Sequence, residues 1–352
     1  MPRTALRDVF TPYFRYRHAR LIHGTRVGFS ILASILFTVA IGLPHSEWTS
    51  ITVLIVIGGL QHLGNIRQRA VERSFGTLIG AAAGLVLIVQ QHYFGVSMAT
   101  YLMIAAACGF CGYHAIGRGG YIALLSAITI IVVAGHGDNS LADGLWRTVN
   151  VLIGIGIAVV FSFIIPLHAT WAWRYKLAES LRGCAVLHAG IAHGAVVSGE
   201  DLKASATQIE LLVQLRSLMP WVSRESRIDS EKMEDIQRSL RLCISILDLM
   251  AGMRRRISNG DGATLACPSL VRENRHIAVV LLGMARALKL GKVSWLQRNE
   301  VARHATLEIV GAPSLNGYIT LTLQLEDEVH HLRQLLYNLK SSPGFAGVAV
   351  KV

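Results

Sequence analysis

Six apolar runs separated by short polar loops fill the chain from Gly24 to Leu167, at approximately Gly24–Leu43, Trp48–Gln61, Ser74–Gln90, Ser97–Ile116, Gly119–Gly135 and Leu145–Leu167. A helix needs about 20 apolar residues to cross the hydrocarbon core of a bilayer, with a range of about 17–25. Runs one, four and six meet that length comfortably and run three is adequate. Runs two and five are short, and alone each reads equally as a buried helix. No lysine occurs before Lys176, so the whole stretch excludes the most strongly hydrated cation. Hydrophobic residues make up 52% of the 352-residue chain and mean hydropathy is +0.45. Soluble proteins stay near about 45–50% apolar even with glycine counted.

Loop charge decides the two short runs. Arg3, Arg7, Arg15, Arg17 and Arg20 precede run one; Arg67, Arg69 and Arg73 follow run two; Arg118 follows run four; Arg174 and Lys176 follow run six. The intervening loops, Pro44–Glu47, His92–Val96 and His136–Gly144, hold Glu47, Asp138 and Asp143 and no Lys or Arg. Basic loops stay cytoplasmic. Every second loop is basic, which predicts six crossings with both termini in the cytoplasm. Run one is too long, and lacks the small-residue cleavage site, to be a removed signal peptide. In a bacterium the destination is the inner membrane. The net charge of +12 is shared evenly by the two halves, and in the first half its arginines lie beside these spans and set orientation, so nucleic acid is not expected as a partner.

The sequence hints at an inverted repeat. Arg73-Ser-Phe-Gly-Thr-Leu-Ile-Gly80 opens run three, and Arg147-Thr-Val-Asn-Val-Leu-Ile-Gly154 opens run six. Each half would hold three spans and insert in opposite directions. Transporters built this way bind substrate near the midplane, between the halves. The short runs, marked by Gly58-Gly59 and Gly119-Gly120, occupy corresponding places. Arg147 is the single cation on the outer side. It either pairs with Asp143 one turn earlier or attracts an anion, because guanidinium grips a carboxylate with two prongs. Arg26 and Arg73 lie where they can snorkel to cytoplasmic headgroups or meet an anion from inside. Asn150 and Thr77 each lie one turn beyond an arginine, and either binds ligand or bonds helix to helix. Arg147, Asn150, Arg73, Thr77 and Arg26 are therefore the candidate substrate-binding residues.

From Ala169 the composition changes. Apolar residues recur at helical spacing: Leu177, Leu181 and Cys184; Ile209, Leu212 and Val213; Met233, Ile236, Leu240, Ile244 and Leu247; Leu325, Val329, Leu332 and Leu336. Loops are expected at Val197–Glu200, Ser258–Pro268 and Val310–Asn316. The fold class predicted is all-α: a basic cytoplasmic segment over 1–23, a six-helix transmembrane domain over 24–168 and a cytosolic helical bundle over 169–352. The five cysteines form no disulfide framework. His330 and His331 near Glu326 and Glu328 lack the further Cys or His that a zinc site needs, so no metal site is expected. No nucleotide, dinucleotide, nucleophile-elbow or zincin motif is present. Hence no cofactor, no catalytic residue and no ATP-driven step are expected.

Three segments together carry a family resemblance: Trp48-Thr-Ser-Ile-Thr-Val-Leu-Ile-Val; Arg69-Ala-Val-Glu-Arg-Ser-Phe-Gly-Thr-Leu-Ile-Gly-Ala81; and Arg147-Thr-Val-Asn-Val-Leu-Ile-Gly-Ile-Gly-Ile-Ala158 followed by Pro166. Over roughly residues 20–170 the chain resembles the fusaric acid resistance (FUSC) and aromatic acid exporter family, and its six-span domain is similar to that of plant aluminium-activated malate transporters. The resemblance implies export of small, often aromatic, carboxylic acids driven by the proton gradient, and a helical cytosolic domain after the spans. Many members carry two six-span units. This chain has one, so a homodimer is expected. Two rival readings stand beside the exporter: a passive anion channel like the malate channels, and a membrane-anchored scaffold whose spans carry nothing.

Overall fold

A computed structural model describes residues 12–59, 63–117, 119–135, 140–164, 166–193, 199–257, 268–292, 295–296 and 313–339. Among these residues the chain is helical, with no strand. Twelve helices follow in order: α1 (Pro12–Arg17), α2 (Ala19–Ile41), α3 (Glu47–Ile57), α4 (Leu63–Phe94), α5 (Ser97–Ala115), α6 (Gly120–Ala134), α7 (Leu141–Ile164), α8 (Ala169–His193), α9 (Gly199–Ser226), α10 (Ser230–Arg256), α11 (Pro268–Leu290) and α12 (Pro313–Asn338). They divide into two compact units, Met1–His168 and Ala169–Val352.

In the first unit α2, α4, α5 and α7 are long and apolar enough to cross a membrane. Their outer faces expose Phe29, Leu36, Phe75, Ile79, Phe110 and Phe163. Such a surface suits lipid and would be costly in water. The two short helices are different. α3 has 11 residues and α6 has 15. At 1.5 Å per residue they reach only about 16 and 22 Å, against a core of about 30 Å. Both bury hydroxyl residues against neighbours: Thr49 and Thr52 on α3, Ser126 and Thr129 on α6. Glycine sets these contacts. A Cβ on Gly80 of α4 would lie 2.5 Å from Thr129 Cβ and 2.6 Å from the Ser126 carbonyl oxygen of α6. A Cβ on Gly154 of α7 would lie 2.6 Å from the Thr49 carbonyl oxygen and 2.9 Å from Thr52 Cβ of α3. The two Leu-Ile-Gly segments thus make the same kind of contact, each on a threonine of a short helix.

α4 begins well before its apolar run. The basic residues Arg67, Arg69 and Arg73, expected in a loop, lie on its first turns. Arg69 stacks over the Tyr121 ring at 3.7 Å and pairs with Glu72 at 3.6 Å. Arg118, Asp138 and the basic residues before Pro12 lie outside the described residues.

In the second unit five helices close over one core, which includes Trp173, Leu181, Leu215, Ile236, Leu281 and Leu332. The stripes expected on α8, α10 and α12 are buried in it. The stripe expected on α9 is not. Ile209 and Val213 are 54% and 64% exposed, and the buried face is Leu211, Leu215, Leu218, Met219 and Val222. The α9 sequence offers two overlapping helical stripes, and Gln208 decides between them. It is buried, accepts a hydrogen bond from Ser180 at 2.7 Å, and fills the space that Gly183 leaves open on α8. Helix α9 already includes Gly199 and Glu200, expected in a loop, while α11 and α12 both start on proline, whose fixed φ suits the first turn.

Three polar groups sit deep in this unit. His188 lies 3.2 Å from Asn274 through Nε2, and burial holds its imidazole down to about 4. Burial pushes the Cys184 thiol up to about 12. Burial, and then the neighbouring Glu273 carboxyl, pushes Glu326 up to about 8.

Candidate functional site

Four helices of the first unit, α3, α4, α6 and α7, meet around a narrow cavity. Its walls are Trp48, Arg73, Thr77, Ile128, Thr129, Val132, Val133, Arg147, Thr148 and Val151. It has space for about one water molecule. The two short helices and the two helices that carry the Leu-Ile-Gly triplets are the elements that build it.

Two guanidinium groups define its chemistry. Arg73 lies ten residues past Leu63, about 15 Å along α4 by the helical rise, and is only 3% exposed. Its side chain is enclosed by neighbouring helices. Arg147 lies near the start of α7 and donates through Nη1 to the Val132 carbonyl oxygen of α6. The Nε of each arginine is buried with no hydrogen-bond partner, and so is Thr77 Oγ1. The close ion pair with Asp143, one of the two readings of Arg147, does not form. Asp143 accepts from Ser140 at 2.7 Å and faces His45 at 3.2 Å. Among the described residues no carboxylate pairs with Arg73 or Arg147. An unmet buried donor costs about 1–3 kcal/mol, more when charged. Two guanidinium groups thus stand beside one cavity.

The other two candidates lie elsewhere. Asn150 is fully buried but committed to backbone and helix packing. Its Nδ2 donates to the Pro44 carbonyl oxygen at 2.7 Å and to that of Trp146 at 3.0 Å, and its Oδ1 accepts from Thr49 at 3.0 Å. It ties α7 to α3 and to the turn before it. Arg26 is also fully buried, facing His23 Nδ1 at 2.8 Å, and His23 in turn reaches the Gly58 carbonyl oxygen at 3.1 Å. Neither Asn150 nor Arg26 lines the cavity. Trp48 and Thr148 line it without having been singled out as ligands. Trp48 opens the short helix α3, and its place at that boundary was the available signal.

The model of the fusaric acid resistance protein family matches residues 20–338, through both units. The chain belongs to that family. Over 340 residues it is 28% identical to the inner membrane protein YeeA of Escherichia coli (strain K12), covering 92% of this chain and 94% of that one. It is 33% identical over 129 residues to the p-hydroxybenzoic acid efflux pump subunit AaeB of Escherichia fergusonii. That match takes in 30% of this chain and 19% of the pump subunit. The AaeB protein of Salmonella arizonae is similar at 31% over 140 residues, 34% of this chain and 20% of its own. The chain is thus similar to a relative of about its own length and to much longer ones, of which it spans about a fifth.

Proposed function

We propose that this protein is a secondary exporter of small organic acids, aromatic carboxylic acids foremost, in the bacterial inner membrane. The observation that carries the proposal is the pair of arginines at one cavity, Arg73 buried and Arg147 half-buried, neither paired with a carboxylate. Membership of the fusaric acid resistance family, and the similarity to an aromatic-acid efflux pump subunit, support it. Arg147 and Arg73 hold the carboxylate from two sides, and Thr77 supplies a hydroxyl. Trp48 offers an aromatic face for a ring. All six apolar helices cross, with both termini in the cytoplasm. The short helices α3 and α6 complete their crossings with non-helical backbone, which a membrane protein tolerates where protein surrounds it. The matching contacts of Gly80 and Gly154 support two opposed three-helix halves, with the site between them. Space for about one water describes a closed form, so passage of a ring requires α6 to part from α4 or α7. A homodimer supplies the second six-helix unit. No step in this account breaks a covalent bond of the substrate, so the protein is a transporter and not an enzyme.

The test is transport of a radiolabelled benzoate-class acid into inverted membrane vesicles. Arg147→Ala and Arg73→Ala are expected to lower the rate at least about tenfold, the loss of one charge-assisted contact. Arg147→Lys keeps the charge but loses the fork and falls between. Wild-type rates in both Arg147 variants would sink the site. Collapse of the pH gradient stops an exporter. Currents that reverse at the anion's Nernst potential at any pH gradient establish a channel instead.

A further inference from the structure

The second unit holds a cluster that the transport account does not use. Helix α11 carries Glu273 and His276 at i, i+3, and α12 carries Glu326 and His330 at i, i+4. Each spacing puts both side chains on one face of its helix. The two faces meet. A ligand atom from each of His276, Glu326 and His330 lies within 4.8 Å of the others. The imidazole centroids are 5.7 Å apart, and His330 Nε2 stands 3.9 Å from Glu326 Oε1. Glu273, one turn before His276 on α11, is close enough to raise the Glu326 carboxyl and so brings a fourth donor group beside the three.

From this geometry we infer that Glu273, His276, Glu326 and His330 bind one divalent transition-metal ion of the zinc class. The point that asks for a ligand is Glu273. It is 6% exposed, and its Oε1 is buried with no hydrogen-bond partner. Among the described residues no Lys or Arg pairs with Glu273 or Glu326. Two carboxyls face each other in the interior, with the His276 and His330 imidazoles beside them and Asp327 adding like charge. Burying carboxylates without a counter-charge is unfavourable, and a dication satisfies both at once. Two imidazoles select a transition ion over Mg2+ or Ca2+, which take oxygen ligands. Donors on a tetrahedral ion stand about 3.4 Å apart at bonds of about 2.1 Å. The side chains must therefore close by about 1 Å, within the reach of Glu and His rotamers. Beside the cluster Asn274, next to Glu273, is hydrogen bonded with His188 at 3.2 Å. The ion would clip α11 to α12 across the long connection between them.

The test uses the full chain, purified in detergent with any affinity tag removed, stripped with a chelator and loaded with ZnCl2 or CoCl2 alone. One equivalent of metal per chain should survive desalting. The Co2+ form should show d–d absorption and no thiolate charge-transfer band, which separates this site from the cysteines. Zn2+ should raise the Tm of the wild type. Glu326→Gln and His276→Asn should each weaken binding at least about tenfold, as loss of a ligand or of its support does. His331→Ala, on the exposed side of the same turn, should bind like the wild type. A wild-type chain that retains no stoichiometric metal overturns the inference, whatever the variants do. So does undiminished binding in the two ligand variants. Neither outcome bears on organic-acid transport, so failure here and failure of the exporter reading are told apart.

Discussion

His188 carries a pH dependence whose sign follows from its surroundings. Burial holds it at about 4, below the 6.5 of an exposed histidine. Its folded-state pKa is depressed, so the unfolded chain binds more protons between those values. Its contribution is fully present above about pH 6.5 and is lost as pH falls toward 4. At about 1.36 kcal/mol per unit the loss by pH 4.5 is about 2–3 kcal/mol. Unfolding of the detergent-solubilised wild type and of His188→Gln, measured at pH 7.5 and 4.5, isolates it, because other titrations cancel between the two. A stability difference that stays constant with pH refutes the assignment. Asn150 poses a contrasting case at the same scale. Its amide makes bonds to Pro44, Trp146 and Thr49. Asn150→Ala should cost about 2–3 kcal/mol of stability, since buried partners are left unmet, while KM for the exported acid stays unchanged at a permissive temperature. A KM rise without loss of Tm would return Asn150 to the substrate. The sequence makes Arg147 and Asn150 neighbours on one helix, but only the structure separates them, because the roughly 60° between their directions on α7 divides the cavity from the α3 contact.

At the scale of the element, glycine placement decides how helices approach. Gly80 and Gly154 face backbone or Cβ atoms of another helix at under 3 Å from an added methyl, whereas Gly156 has nothing within 4 Å. Gly80→Ala and Gly154→Ala should therefore each destabilise the first unit by about 1–3 kcal/mol, the range for overpacking. Gly156→Ala should be neutral or stabilising by up to about 1 kcal/mol, from helix propensity. Thermal unfolding in one detergent compares all three, and equal shifts at Gly154 and Gly156 would contradict the packing. The twin Leu-Ile-Gly triplets were legible in the sequence, and so was the shortness of α3 and α6. What each triplet touches was not, since periodicity marks a face but not its partner. On α9 periodicity misled for a related reason. Ile209 and Val213 form as good a stripe as Leu211 and Leu215, and the choice rests on buried Gln208, a tertiary contact with no local signature. His276 escaped notice likewise: its companions His330 and Glu326 lie on another helix, and local spacing cannot report that α11 and α12 bring them together.

For the whole molecule the open choice is how many of the apolar helices cross, and a labelling experiment decides it. Helices α2, α4, α5 and α7 suffice by length and composition, while α3 and α6 are short. Counting helices by where the chain ends cannot separate four crossings from six, because both numbers are even. The loops between can. With six crossings and a cytoplasmic N-terminus, the α4–α5 turn at Tyr93 faces outward and the α5–α6 turn at Ile116 faces the cytoplasm. If α3 and α6 dip in and return on the same side, both assignments reverse. Tyr93 is 78% exposed and Ile116 is 93% exposed, so a cysteine at either place meets reagent freely. In a background lacking the five native cysteines, Tyr93→Cys should react with a membrane-impermeant maleimide on spheroplasts. Ile116→Cys should react only after permeabilisation. The reversed pattern would remove the short helices from the list of spans. It would also dissolve the opposed halves, since each would then hold two crossings and insert in the same direction. The arginine cavity would survive that outcome, because its walls come from contacts between helices and not from the side on which each helix ends.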